Sequence, residues 1–296
     1  MRGVQRSSLR GTELSKTAIP EFVRAVTLDE ALGCLASGPY VLLCGGTDFY
    51  PSRAGRPVDE PILDISGIAA LHRIEAIADG WRIGAAATWS EILRAPLPPA
   101  FSALQAAARE IGGVQIQNTG SIGGNVCNAS PAADGVVPLL ALDTRVILRS
   151  VSGERELALA DFLLGSRKTA LRANEIVTAF DVPLYSPRAR STFQKLGNRR
   201  YLVISIAMAA CLIDRDASGR ITGAAVAVGS CSASARRMRT LEARLAGKPA
   251  GEDLAALLDE SDLDVLTPID DLRGTRVYRH AAVMTLLRRS LKELSA

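Results

Sequence analysis

The chain has 296 residues, of which 48% are hydrophobic and 22% charged, and its formal net charge is +4. That length suits about two domains of ~100–200 residues each, and the composition is that of an ordinary soluble globular protein. So mild a charge argues against a nucleic-acid partner, because the Arg pairs (Arg199 with Arg200, Arg236 with Arg237, Arg288 with Arg289) are dispersed and no aromatic residues interleave them.

Residues 1–17, MRGVQRSSLRGTELSKT, are basic and hydroxyl-rich and lack the apolar stretch of a secretory signal. They read as a flexible arm, or as a contact arm for a partner subunit. TLDEALGCLAS predicts a short helix: Thr27 and Glu30 have capping-box spacing, and positions 28, 31, 32 and 35 put apolar residues on one face. YVLLCGGTDFYPSRAG reads as a buried strand entering a glycine turn, and EPILDISG as another short strand. WRIGAAATWSEIL gives a strand and then a second capping box, Thr88 with Glu91. In FSALQAAAREIGG, Phe101, Leu104, Ala108 and Ile111 form the stripe of an amphipathic helix that stops at glycine.

Residues 118–135, NTGSIGGNVCNASPAADG, alternate glycines with short polar side chains. The apolar VVPLLALD follows, and then TRVILRSVSGERELAL, an alternating hairpin expected to turn at Ser152 and Gly153. NEIVTAFDVPL is one more strand, ended by Pro183. A change of texture at YSPRARS marks a domain boundary, giving residues 18–186 and 187–296. Beyond it, TFQKLG and ITGAAVAVGS read as strands, with YLVISIAMAACLID between them as strand or buried helix. SARRMRTLEARLAG is expected to be helical, DESDLDVLTPIDD to be a linker, and RVYRHAAVMTLLRRSLKEL to be a closing helix. This mixed order predicts an α+β chain of two domains.

Cys34, Cys44, Cys127, Cys211 and Cys231 are odd in number and form no CxxC pair. That argues against a disulfide framework and against a metal site built from this chain alone, and it suits a reducing cytoplasm. His72 and His280 are the only imidazoles, too few for a His-based metal site or a catalytic triad. No apolar run reaches the ~20 residues of a membrane span.

Two segments share one chemistry: CGGTD, from Cys44 to Asp48, and SIGGN, from Ser121 to Asn125. In each, a Gly-Gly pair sits beside a hydroxyl and a short polar side chain. Glycine turns successive N–H groups to one side and lets a ligand approach the backbone. Such a nest binds anionic oxygens without a lysine, and Thr47 and Ser121 add hydroxyl donors. Two nests could hold a pyrophosphate from two sides. Neither matches the Rossmann or P-loop pattern, so a dinucleotide held this way belongs to another fold. Asn125, Asn128, Ser130 and Asp134 strengthen the second segment, although Asp134 also reads as a helix cap before GVVPLLAL.

LLCGGTDFYP, QIQNTGSIGGNVCNASPAADGVVPLLALD, EIVTAFDVP and FQKLGNRR, in this order, resemble the motifs of the FAD-binding medium subunit of molybdenum hydroxylases. That family includes carbon monoxide dehydrogenase, bacterial xanthine dehydrogenase and related N-heterocycle hydroxylases. The resemblance runs from about Ala18 through the closing helix. It implies a two-lobed FAD domain of the vanillyl-alcohol-oxidase-like (PCMH) type and a smaller α+β C-terminal domain. The first pyrophosphate loop is then Leu43, Cys44, Gly45, Gly46, Thr47, Asp48, Phe49 and Tyr50, and the second comprises Thr119, Ser121, Ile122, Gly123, Gly124 and Asn125. By the same resemblance Asp134 reaches ribityl or ribose hydroxyls, and Ile176 and Val177 make backbone contacts at the flavin ring. Lys195 stands near the flavin's polar edge, where a surface lysine is the alternative, and Ala87 and Thr88 wrap the flavin.

The partners implied are a large molybdopterin subunit and a small [2Fe–2S] subunit, assembled as a dimer of heterotrimers, with electrons leaving FAD for an external acceptor. No catalytic acid, base, nucleophile or metal ligand is assigned to this chain. Relatives often carry an acidic residue just before the position of Ile204, and here it is Val203. Nearby Tyr201 is either a stacking partner or a core residue. The cysteine-rich insertion of some relatives, which holds a [4Fe–4S] cluster, is missing, and Cys44 and Cys127 read as small packing residues. One rival reading is a stand-alone FAD oxidoreductase, disfavoured by few histidines and 4% aromatic residues. Another is a structural subunit without nucleotide, disfavoured by the polar set from 121 to 134.

Overall fold

The computed structural model describes residues 20–53, 55–200, 202–249 and 251–295. The arm expected over residues 1–17 and the alternatives for Tyr201 lie outside the described residues.

A small lobe comes first: β1 (Phe22–Arg24), α1 (Leu28–Ser37), β2 (Val41–Leu43), α2 (Phe49–Arg53) and β3 (Ile62–Asp64). Its three strands are parallel, with β3 in the middle. Thr27 caps α1 as expected, accepting the Glu30 amide at 3.2 Å. The return bond differs: the Glu30 carboxylate accepts from Val26 N at 2.9 Å, one residue outside the expected box. Ala31, Leu32 and Leu35 pack with Leu63, Ile65, Ile68 and Leu71, and the same core takes in Ala86 and Ile176 from the next lobe. The small lobe is thereby seated on the large one. Helix α2 was not anticipated from the pattern, since it buries no residue and has no apolar face.

The large lobe contains β4 (Ile74–Ile77), β5 (Gly80–Gly84), α3 (Trp89–Arg94), α4 (Ser102–Glu110), α5 (Val114–Thr119), α6 (Ile122–Asn128) and α7 (Val136–Ala141). It continues through β6 (Arg145–Ser150), β7 (Gly153–Ala158), α8 (Leu159–Phe162), β8 (Leu163–Gly165), β9 (Lys168–Thr169) and β10 (Ile176–Pro183). Five of these strands form an antiparallel sheet in the order β4-β5-β10-β6-β7. Pro183 ends the central strand, as expected. The β6–β7 hairpin closes with Ser150 opposite Gly153, so its turn is Val151 with Ser152, one residue earlier than expected. Thr88 and Glu91 do form a complete capping box on α3. Every residue of α7 is buried.

The C-terminal part has β11 (Arg190–Leu196), β12 (Ala207–Arg215), β13 (Ile221–Gly229), β14 (Arg236–Arg237), α9 (Arg239–Leu245) and α10 (Arg276–Ser295). Its strands form one antiparallel sheet in sequence order. The ambiguous apolar run resolves as strand β12. Met208, Ala210 and Leu212 face the core of the large lobe, while Ala207, Ala209, Cys211 and Ile213 face α9 and α10. Burial on both faces erases the alternation that identifies a half-buried strand.

The helix expected across residues 234–247 begins only at Arg239. Before it, Arg237 is held in strand β14 by Glu242 at 2.6 Å and Asp143 at 2.5 Å. The Asp-rich linker contains a 3-10 turn (Glu260–Val265), boxed by Asp259 and Asp262. The architecture is α+β, with a two-lobed first part and a smaller α+β sheet layer after it. No helix among the described residues is long and apolar enough to cross a membrane.

Candidate functional site

Strand β2 delivers the chain into the first glycine turn. A Cβ on Gly45 would stand 2.1 Å from the Thr119 carbonyl oxygen and 2.9 Å from the Gly120 Cα. Only glycine therefore lets this turn touch the end of α5. Gly46 has φ +67°, a left-handed backbone that disfavours a side chain. The amides of Gly46, Thr47 and Asp48 have no hydrogen-bond partner among the described residues. This turn behaves as expected: its glycines bend the chain and leave donors open.

The second segment does not. It was expected to be a turn, and it is the start of α6. Ser121 is the N-cap, its Oγ accepting from Gly124 N at 3.1 Å. Ile122 N donates to Ala87 O at 2.9 Å, Gly123 N to Ala85 O at 2.8 Å, and Asn125 N to Ser121 O at 3.1 Å. These amides are already satisfied, so the reading of a second nest with open donors is corrected. The glycines serve close packing instead: a Cβ on Gly123 would lie 2.6 Å from Ala85 O, and one on Gly135 2.3 Å from the Trp89 ring. Thr119 ends α5 with its hydroxyl donating to Gln115 O at 3.0 Å.

The two segments meet on one cleft of ≈ 870 Å³. Of the residues named from sequence, Leu43, Cys44, Gly45, Gly46, Thr47, Asp48, Phe49, Ser121, Gly124 and Asn125 line it. Tyr50, Ala87, Thr88, Thr119, Ile122 and Gly123 stand outside this lining. Ala87, Ile122 and Gly123 are buried behind it and Tyr50 is half exposed, packed edge-on against Phe49. The side-chain oxygen of Asn125 is buried in the cleft wall without a hydrogen-bond partner. A buried acceptor left unpaired is costly, and it marks a place for a donor from a ligand. Burial pushes the Cys44 thiol up, and that of Cys127 to about 12, so neither is a thiolate nucleophile.

Asp134 and Lys195, given separate roles in the sequence reading, form one buried cluster. Lys195 Nζ is 2.5 Å from Asp134 Oδ2, and Ser205 Oγ donates to Asp134 Oδ1 at 2.5 Å. Burial pushes the Asp134 carboxyl upward, against Lys195 and Ser205, which favour its charged form. The capping alternative for Asp134 falls, because α7 is preceded by Gly135 and receives no side-chain cap. The surface alternative for Lys195 falls as well, with its side chain only 7% exposed. Lys195 borders a smaller cavity of ≈ 370 Å³ with Glu110, Gln194, Arg199 and Arg200, not the large cleft. Ile176 and Val177 have their side chains in two different cores, and neither lines the cleft. Just before them, Glu175 is locked by a bidentate Arg155 at 2.6 and 2.7 Å, which anchors β10.

Several lining residues escaped the sequence reading. Trp89, fully buried, forms part of the floor, and Leu202 closes one side together with Val203 and Ile204, the two positions that the resemblance already marks. Leu202 has φ +53° and is 57% exposed. Arg167, at the tip of the β8–β9 hairpin, reaches Asp48 at 2.9 Å and donates to Asn128. No periodicity or motif marks Arg167 or Leu202. They matter only because the fold brings residues 167 and 202–204 to loops that lie far away in sequence.

Comparison with known proteins adds to this geometry. The model for the FAD binding domain in molybdopterin dehydrogenase matches residues 15–185, and that for the CO dehydrogenase flavoprotein C-terminal domain matches residues 191–294. A nicotinate dehydrogenase FAD-subunit from Eubacterium barkeri is 33% identical over 239 residues, covering 77% of this chain and 80% of that one. A glyceraldehyde dehydrogenase medium chain from Sulfolobus acidocaldarius is 31% identical over 93% of this chain and 99% of its own length. Among solved structures, a chain of the Hydrogenophaga pseudoflava carbon monoxide dehydrogenase lacking the Mo-pyranopterin moiety superposes with TM-score 0.82 at 25% identity. It covers 93% of this chain and 96% of that one.

Proposed function

The chain belongs to the family of FAD-binding medium subunits of molybdenum hydroxylases, as an oxidoreductase subunit, and we propose that it relays electrons from a partner's [2Fe–2S] clusters to an external acceptor. The observation that carries the cofactor's place is the convergence of the open amides of Gly46, Thr47 and Asp48 with the unpaired Asn125 oxygen on one cleft. Those groups fit a dinucleotide: the amides would hold its diphosphate, and the Asn125 oxygen would accept from a hydroxyl. Bound FAD supplies redox chemistry that takes electrons singly and releases them as a pair, while the protein supplies placement and electrostatics.

The remaining roles follow the same reading. Ser121, Ile122, Gly123 and Gly124 shape the wall that the cofactor lies against, with Ala87, Thr88 and Thr119 behind them. Ile176 and Val177 present backbone to the flavin, since their side chains are committed to the cores. Asp134 and Lys195 act as a pair, giving the flavin's surroundings a buried positive group whose charge is balanced. Substrate oxidation belongs to a molybdopterin in a large partner subunit, by extension from relatives named as medium chain and FAD-subunit. A dimer of heterotrimers in the cytoplasm, and a division into an FAD domain (18–186) and a C-terminal domain (187–296), complete the proposal.

The test is the visible spectrum of the chain purified with its co-expressed partners and again after they are stripped away. Flavin bands that stay with this chain while iron–sulfur absorption leaves support the relay. A colourless chain at every stage would favour a structural subunit. Bleaching of the flavin by substrate in the isolated chain would favour a stand-alone oxidoreductase.

A further inference from the structure

Arg167 sits at the tip of the short β8–β9 hairpin with φ +57°, and its amide donates at 2.9 Å to Ala129 O, itself a residue with φ +45°. Two non-glycine residues in left-handed backbone, bonded to each other, are an expense that structures retain where a position matters. The hairpin aims the Arg167 guanidinium across the mouth of the cleft. One nitrogen meets both Asp48, at 2.9 Å, and the Asn128 side chain. The other guanidinium donors have no partner among the described residues. Both members of the ion pair are more than half exposed, at 55% and 54%. Exposed pairs contribute little to stability, so the contact does not by itself account for the strained backbone.

Charge does account for it. The lining of the large cleft holds two cations, Arg53 and Arg167, and one anion, Asp48. Arg53 is committed elsewhere, 2.7 Å from Glu60 and stacked 3.7 Å over the Phe49 ring. Asp48 therefore places a carboxylate on the very loop whose open amides suit an anion. Without a cation beside it, that carboxylate repels a diphosphate.

We propose that Arg167 is a clasp for the dinucleotide's diphosphate: it neutralises Asp48 and turns its remaining guanidinium donors toward the anion. Guanidinium donors suit phosphate oxygens in geometry as well as in charge. The inference rests on the cofactor reading above, and it adds a positioning residue from a hairpin that no glycine motif includes.

The test uses the full chain stripped of flavin, with affinities measured for FAD, ADP and riboflavin. Arg167→Met is expected to weaken FAD and ADP by roughly tenfold or more, with a loss that shrinks as salt is raised, while riboflavin is unaffected. Arg167→Lys should restore only part of the loss, since an ammonium replaces the charge but not the fork of donors. Asp48→Asn placed in the Arg167→Met background should recover part of it, by removing the carboxylate left uncompensated. Unchanged FAD and ADP affinity in Arg167→Met would overturn the clasp. So would a parallel loss of riboflavin, which would make the hairpin contact purely structural. A wild-type chain that takes up neither FAD nor ADP would overturn the cofactor reading itself, a result distinct from failure of the clasp.

Discussion

The turn from Cys44 to Asp48 and the helix start from Ser121 to Asn125 carry nearly the same residues, and they use glycine for opposite ends. In the first, Gly46 adopts φ +67° and the amides that follow are left open. In the second, the glycines are helical, their amides are spent on Ala85 and Ser121, and the missing side chain of Gly123 lets α6 lie against Ala85 in the turn that follows β5. One segment offers donors to a ligand, and the other builds the wall that a ligand meets. A Gly-Gly pair thus reports that something comes close, but the neighbouring structure decides whether that something is a ligand or the protein itself.

Substitutions can break this contrast, and the largest effect is expected at Gly45. A valine there would drive its side chain into the Thr119 carbonyl, 2.1 Å from the new Cβ, and separate the two segments. Gly45→Val should leave the purified chain without flavin absorbance, whereas normal occupancy would mean that the convergence is unnecessary. Next comes the buried pair beside the second segment. Asp134→Asn leaves Lys195 buried opposite a neutral group and should cost about 3–5 kcal/mol in a urea unfolding curve. A loss confined to flavin affinity, with stability unchanged, would show that the pair serves the cofactor rather than the fold.

The sharpest test of the contrast pairs two alanines. Gly123→Ala overpacks α6 against Ala85 and should lower stability by about 1–3 kcal/mol, or about 2–4 °C in Tm per kcal/mol. Gly46→Ala bears left-handed strain of about 1–2 kcal/mol in the folded chain itself and so also lowers the apo-chain's Tm. Its methyl stands on the open turn, however, and should in addition lower flavin affinity roughly tenfold, or about 1.4 kcal/mol, a loss that Gly123→Ala should not show. If the two variants behave alike, the distinction between open turn and packed wall is wrong.

The smallest effect concerns Glu91, which boxes α3 under the second segment. Burial pushes its carboxyl up, but hydrogen bonds from Thr88 and His72 outweigh this and hold it below the usual carboxylate range. Its contribution is therefore complete above the ordinary value of ~4.3 and is lost as pH falls through the lowered one. Glu91→Gln should flatten the acid side of the stability profile by a few tenths of a kcal/mol, given the pair's partial exposure.

How much of this was legible in the sequence depended on how local the cause was. Both N-cap threonines, the β6–β7 hairpin and the strand ended by Pro183 follow from residues adjacent in the chain. Strand β12 was ambiguous, because burial against two cores removed its alternation. Helix α2 was hidden for the opposite reason, having no buried face at all. In the site, glycines and hydroxyls marked the two segments, but which amides stay open depends on Ala85 and Ala87, more than thirty residues upstream of α6. Arg167 and Leu202 carried no signal, because their place at the cleft is set entirely by tertiary structure, and Val203 and Ile204 were marked by the resemblance alone. The pairing of Asp134 with Lys195 was likewise invisible, although each residue had been singled out on its own.

The most direct measurement is amide hydrogen exchange of the full chain with and without FAD. The account predicts that the amides of Gly46, Thr47 and Asp48 exchange freely in the apo-chain and become protected by FAD. Those of Ile122, Gly123, Gly124 and Asn125 should be protected in both states. Amides of the first turn that remain unprotected with FAD bound, or protection that arises only in the second segment, would contradict the assignment of the open turn as the diphosphate site.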